Sequence, residues 1–153
     1  MSSPIDALRG VPNANQASET VVTGGQPSAA HFRALKDAGV EVVLDIRDPM
    51  EPRGFDEPTL MDELGFEYKV ITVSDAHLTD ETLASITNVM RQSEGRPTLV
   101  HCASGNRVGG ALIPWLILDQ GMTEEEATMA AMRMGLRGAH LLEWGLEYAR
   151  RNT

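Results

Sequence analysis

Cys102 and Arg107 are the residues from which chemistry can be read. Both lie in Thr98-Leu99-Val100-His101-Cys102-Ala103-Ser104-Gly105-Asn106-Arg107-Val108-Gly109-Gly110. The apolar opening of this stretch has the pattern of a buried strand, and residues 111–118, after the glycines, read as a helix. A strand, a tight glycine-containing turn and a helix N-terminus form an anion cradle. The turn amides lack partners, and the helix dipole puts partial positive charge at the same place. That field also favours a thiolate, so Cys102, the sole cysteine, is predicted to be a nucleophile. Arg107 adds a planar guanidinium able to grip two oxygens of an oxyanion. The amides of Ala103, Ser104, Gly105, Asn106 and Arg107 are predicted to face the anion, with Gly105 allowing a backbone shape that a side chain would block. Ser104 either donates its hydroxyl or supports the turn. His101 is expected to order the loop rather than transfer protons. The commonplace alternatives are a buried inert cysteine and a surface salt bridge. Against them stands the grouping of nucleophile, amide nest and arginine within six residues, which is a phosphoryl-transfer constellation.

A leaving alkoxide or phenolate needs a proton, and an aspartate is the expected donor. Asp75 follows a predicted strand and shares its end of the sheet with Cys102; His77 is the alternative acid. Asp80 reads instead as a helix first-turn residue that complements the dipole. Asp45 and Arg47 read as a structural pair at a strand end, although Arg47 and Arg53 could instead touch substrate. Asp48, Glu51, Asp56 and Glu57 read as a solvated acidic loop. Met122, Met129, Met132 and Met134 read as core packing. His31 and His140 have no partner at metal-ligand spacing, so no metal is expected. The chain has neither G-x-G-x-x-G nor G-x4-G-K-[ST], so no nucleotide cofactor is implied.

The elements that must position these residues follow from pattern. Residues 1–17 are polar and mixed, and are predicted to lie as an arm across the surface. Strands are predicted at 20–23, 40–46 and 66–73, the last alternating around Phe66, Tyr68, Val70 and Thr72. Helices are predicted at 29–38 behind a Ser28 N-cap, at 58–64 ended by Gly65, and at 79–93 with Leu83, Ile86, Val89 and Met90 inward. Another starts at a Thr123/Glu126 capping box, and a last one covers about 138–150. Strands alternate with helices, which predicts an α/β fold: a central, mostly parallel sheet of about four to five strands with helices on both faces. Ligands gather at the C-terminal ends of such strands. Loops 45–53, 74–78 and 102–107 meet there.

Bulk properties bound the function. At 153 residues with 42% hydrophobic content, one α/β domain is expected. The longest apolar run, 111–118, is too short to span a bilayer and contains Pro114. No secretory signal pattern is visible, and a lone thiol suits a reducing compartment, so a cytoplasmic location is expected, with a periplasmic one the alternative if a signal was trimmed. The formal charge of −9 disfavours nucleic acid and anionic membrane as partners, but not a phosphorylated small molecule or phosphoprotein. Oligomeric state is not legible.

The segment from His101 to Arg107 resembles the phosphate loop of cysteine-dependent protein phosphatases, H-C-x5-R followed by Ser or Thr. The stretch Thr23-Gly24-Gly25-Gln26-Pro27-Ser28, with Leu35 through Gly39 and Val43-Leu44-Asp45-Ile46-Arg47, is similar to a bacterial dual-specificity-like family known as β-lactamase-hydrolase-like. Gly121 to Ala127 resembles the helix that follows the loop in these phosphatases. About 130 residues fit, from roughly 20 to 150. The resemblance implies a phosphatase-like fold, Cys102 as nucleophile, Arg107 as oxyanion clamp, a supporting His101, and an acid loop around Asp75. Two departures stand out. Only four residues separate Cys102 from Arg107, a spacing also typical of rhodanese-like sulfurtransferases, which would work through a Cys102 persulfide. Val108 occupies the place where the phosphatases carry a hydroxyl that helps the sulfur leave. It predicts slow turnover, or a phosphate-binding module with little turnover.

Overall fold

Four strands, β2 (Val21–Gly24), β3 (Val42–Asp45), β4 (Glu67–Val70) and β5 (Thr98–His101), run parallel in the computed structural model, which describes residues 2–153. A short β1 (Asn15–Gln16) pairs antiparallel with β2, so the sheet order is β1-β2-β5-β3-β4. The chain therefore builds the mostly parallel sheet that the alternation of patterns predicts. β2, β3 and β5 are buried along their whole length, which is why they read as continuous rather than alternating apolar runs. β5 lies between β2 and β3. Its C-terminal end thus delivers Cys102 to the middle of one sheet edge, with the loops after β2 and β3 on either side.

Helices cover both faces. On one, α1 (Pro4–Ala7), α2 (Ala29–Asp37) and α3 (Glu57–Leu64) enclose Phe32, Leu35 and Met61. On the other, α4 (Asp80–Gln92), α5 (Asn106–Leu118), α6 (Glu124–Met134) and α7 (Ala139–Arg151) enclose Leu83, Ile86, Leu112 and Leu116. Start and stop signals act locally. Ser28 and Thr123 each close a capping box, Thr79 and Asp56 cap α4 and α3, and Gly65 ends α3 in a left-handed conformation. Among the described residues, no helix is long and apolar enough to cross a membrane.

Four expectations need correction. The N-terminal residues are not a surface arm. Leu8 and Val11 are buried beside Phe32 and Leu35, and the His31 ring sits 2.8 Å from the Arg9 carbonyl oxygen. Their apolar side chains are few but spaced to meet α2. The strand predicted over 66–73 is regular only over Glu67–Val70, because β4 is an edge strand; Val70 is exposed while Val73 turns into the opposite core. Helix α5 begins at Asn106, five residues before the predicted start. Gly109 and Gly110 are helical residues that admit close neighbours: a Cβ on either would fall within 3 Å of Leu136 or Leu141. Among the methionines, Met134 is core, whereas Met129 and Met132 are exposed.

Candidate active site

The Cys102 loop is built between the last residue of β5, His101, and the first turn of α5. Gly105 adopts φ +101°, and a side chain there would strike the Met134 carbonyl oxygen. This turn aims the Gly105 N–H at Cys102, donating to Sγ at 3.0 Å. Since α5 has no side-chain N-cap, its first-turn amides are left to the loop and to whatever occupies it. Cys102 is fully buried at the edge of the apolar cluster under α5.

Arg107 stands beside that sulfur. Its guanidinium forks onto Glu51, with Nη1 donating to Oε2 at 2.8 Å and Nη2 to Oε1 at 3.0 Å, and Nη1 also donates to the Val73 carbonyl at 3.2 Å. The Glu51 hydrogen bonds hold Arg107 above its usual pKa against the effect of burial, with the nearby Cys102 sulfur adding to them. In return, the Arg107 hydrogen bond brings Glu51 down to about 2, outweighing its own burial, with help from the Asp48 N–H and Arg47.

Three segments strap the loop in place. The Gln26 N–H donates to the Ala103 carbonyl at 3.0 Å, and Asn13 Nδ2 donates to the Ser104 carbonyl at 2.7 Å. Asn106 Oδ1 accepts from the Arg137 and Gly138 amides, at 2.7 and 3.1 Å. The Asn106 side chain therefore supports the loop from the α6–α7 linker rather than facing an anion. Asn13 and Arg137 carried no signal in the sequence, since each acts only across a long separation.

Of the four acidic residues predicted to form a solvated loop, Asp56 is exposed and Asp48 and Glu51 are half-buried, but Glu57 enters a buried charged network beneath the Cys102 loop. Glu57 is fully buried. Its Oε2 lies 2.7 Å from His101 Nε2, and its Oε1 accepts from Gln26 Nε2 at 2.7 Å and from Arg53 at 3.0 Å. Burial opposes its ionisation, but the His101 hydrogen bond and charge, with Gln26 and Arg53, bring it down to about 2. The strand-end pair is also different from the one expected. Asp45 pairs with Arg53, while Arg47 donates to Glu51, Gln26 Oε1 and the Pro52 carbonyl; only the Arg47 backbone N–H reaches Asp45. Although burial works against its charge, Arg53 is held above its usual range by Asp45 and Glu57. The Tyr68 hydroxyl donates to Asp45 Oδ2 at 2.6 Å and lies 3.1 Å from Glu57 Oε2, and burial together with Asp45 pushes it far above the usual phenol range. Of the acidic residues here, Asp56 caps α3 and Glu51 grips Arg107. Asp45, Glu57 and His101 bring ligand atoms within 4.8 Å of one another, a spacing a metal could use, but the Arg53 guanidinium already supplies positive charge to both carboxylates.

On the other side of Arg107 the molecule is open. A cleft of about 320 Å³ is lined by Val73, Ser74, Asp75, Leu78, Asn106, Arg107, His140 and Leu141. Asp75 thus shares a cleft with Arg107, its carboxylate 98% exposed and 3.8 Å from His140 Nε2. His77 lies outside the lining of that cleft, its Nδ1 2.7 Å from Ser74 Oγ. A larger groove, about 790 Å³, opens near the N-terminal ends of β2 and β5, away from the loop, beside the Arg91–Asp119 ion pair. Neither Cys102 nor Arg107 lines it, whereas Arg107 lines the smaller cleft.

A family model described as "DSP-PTPase phosphatase fused to NAD+ Kinase" matches residues 8–143. No curated protein sequence matches the chain. Among solved structures, a DUF442 protein from Shewanella putrefaciens superposes with TM-score 0.80 at 23% identity, covering 96% of this chain and 97% of its own. The core catalytic domain of the PP-IP phosphatase SIW14 from S. cerevisiae gives 0.76 at 15% identity, covering 90% and 86%. TpbA from P. aeruginosa gives 0.70 at 18% identity, covering 92% and 84%, and has also been solved in complex with phosphotyrosine.

Proposed function

The chain belongs to the family described as DSP-PTPase phosphatase fused to NAD+ kinase, within the cysteine-dependent tyrosine and dual-specificity phosphatase superfamily, and from that membership we propose that it hydrolyses phosphomonoesters through a phosphocysteine at Cys102. One observation carries the reading: the Gly105 N–H donates to the single sulfur at 3.0 Å within one strand-to-helix turn, with Arg107 in the first turn of the helix that follows.

In the first step the Cys102 thiolate attacks phosphorus in line. The S–P bond forms as the bond to the leaving oxygen breaks, and Asp75 gives that oxygen its proton. The loop amides and Arg107 hold the equatorial oxygens as charge redistributes over them. Glu51 keeps the guanidinium oriented, and His101, tied to Glu57 on one side and 3.3 Å from the Cys102 carbonyl on the other, keeps the loop in register. In the second step water attacks phosphorus, the S–P bond breaks, Asp75 takes the water's proton, and inorganic phosphate leaves. Val108, fully buried, offers no hydroxyl to the departing sulfur, so this second step is the slow one.

The substrate is a phosphorylated small molecule or a phosphorylated residue of a protein. The known complexes of TpbA with phosphotyrosine, and the PP-IP substrate named for SIW14, bracket that range. Release of p-nitrophenol from its phosphate, assayed in EDTA, tests the proposal. Activity is expected in the wild type and absent in Cys102→Ser; hydrolysis surviving that substitution would remove the mechanism.

A further inference from the structure

Four arginines gather at the C-terminal edge of the sheet, and three are neutralised. Arg47 pairs with Glu51, Arg53 with Asp45 and Glu57, and Arg107 with Glu51. The fourth, Arg137, is exposed and forms no ion pair among the described residues. Its backbone is nonetheless fixed. Asn106 Oδ1 holds its N–H at 2.7 Å and the next amide at 3.1 Å, and the preceding Leu136 is buried. Its guanidinium makes one hydrogen bond, Nη2 to Ser104 Oγ, and at 3.4 Å that bond is near the limit of a useful one. Arg137 is therefore anchored at its base, free at its tip, and poised over a loop residue two positions from Cys102.

An exposed cation with no carboxylate partner among the described residues, held within reach of Ser104 in the loop, is free to add a contact to an anion that extends past the loop. We propose that Arg137 is a second anion contact, and that the preferred ligand of this site is a small molecule bearing a second phosphate beyond the one facing Cys102. The guanidinium can grip that phosphate through two oxygens once it leaves Ser104. The inference rests on the phosphatase reading for its chemistry, but its binding component can be measured without turnover.

The test is calorimetry on the 153-residue chain carrying Cys102→Ser, titrated with orthophosphate, pyrophosphate, fructose 1,6-bisphosphate and an acidic monophosphopeptide. The two bis-phosphates span a short and a long spacing. At least one is expected to bind about tenfold more tightly than orthophosphate, the scale of one charge-assisted contact. Adding Arg137→Ala should erase most of that advantage, whereas Arg137→Lys should keep part of it. A purely structural role for Arg137 would weaken all ligands alike and leave the ratio unchanged. The proposal is overturned if neither bis-phosphate gains over orthophosphate, if the gain survives Arg137→Ala, or if the Arg137-dependent gain appears only with an acidic monophosphopeptide. Cys102-dependent turnover of an aryl phosphate by the wild type is scored in parallel. Turnover without the ratio change defeats the Arg137 assignment alone, and the ratio change without turnover supports that contact while defeating the phosphatase reading.

Discussion

The two flanks of the Cys102 loop are built on opposite plans. On the β3 side, side chains run in an unbroken series from Arg107 to Glu51, Arg47, Gln26, Glu57 and His101, which returns to the loop. Asp45, Arg53 and Tyr68 complete this network, where each arginine has a carboxylate partner. On the α6–α7 side, Asp75, His77, His140 and Arg137 are exposed and loosely held. The contrast separates two tasks. On the proposed mechanism, the groups that keep Cys102 and Arg107 in place are fixed before substrate arrives, while Asp75 and Arg137, proposed to meet the leaving oxygen and a second phosphate, stay in solvent. Each flank should therefore fail in its own way.

The largest effect is expected from Glu57→Ala. It leaves Arg53 without one of its two carboxylates and His101 without its Nε2 partner in the interior, the kind of change that costs about 3–5 kcal/mol. Urea denaturation should show that loss, and an unchanged midpoint would break the contrast. Asp75→Asn should do the reverse. Exposed as it is, it should shift stability by less than about 0.5 kcal/mol. It should lower kcat/KM, which reports the first step, on the order of 10²-fold for phenyl phosphate, whose leaving group needs a proton, and far less for p-nitrophenyl phosphate. Equal losses on both substrates would point to another acid, with His77→Asn the next variant to assay.

Glu51 and Glu57 also give the paired flank an acid sensitivity. Both are lowered from the ordinary 4.5 to about 2 in the folded protein. A depressed carboxylate contributes stability that is present above its unfolded pKa and is lost as pH falls through the folded one. Stability should therefore fall between about pH 4.5 and 2, and Glu57→Gln should flatten that slope; a wild-type midpoint constant across this range would contradict the assignment. The smallest effect is expected at Val108. Val108→Thr restores a hydroxyl with nearly the same shape and should raise steady-state turnover on the order of tenfold without changing the first-turnover rate. A slower first turnover with no steady-state gain would place the slow step elsewhere.

The same contrast marks what was legible in the sequence. Strand runs, the Ser28 and Thr123 capping boxes, and the Cys102–Arg107 spacing depend on neighbours in the chain, so the fold and the heart of the loop were readable. The paired flank was not. Glu51, Arg53 and Glu57 look like an exposed charged loop until β3 and β5 bring Asp45 and His101 beneath them, and burial of a charge becomes visible only with its partners. Gly109 and Gly110 misled for a related reason. Their use in a helix depends on Leu136 and Leu141, which the sequence places far away. Leu8 and Val11 were hidden by the polar residues around them.

Catalysis through the single sulfur can be tested most directly by acid-quenching the wild type during turnover of p-nitrophenyl phosphate and measuring the intact protein's mass. With the second step slow, the protein should gain the mass of one phosphoryl group, mapped by peptide sequencing to Cys102 and absent in Cys102→Ser. Phosphate found on another residue, or undiminished nitrophenol release by Cys102→Ser, would contradict it.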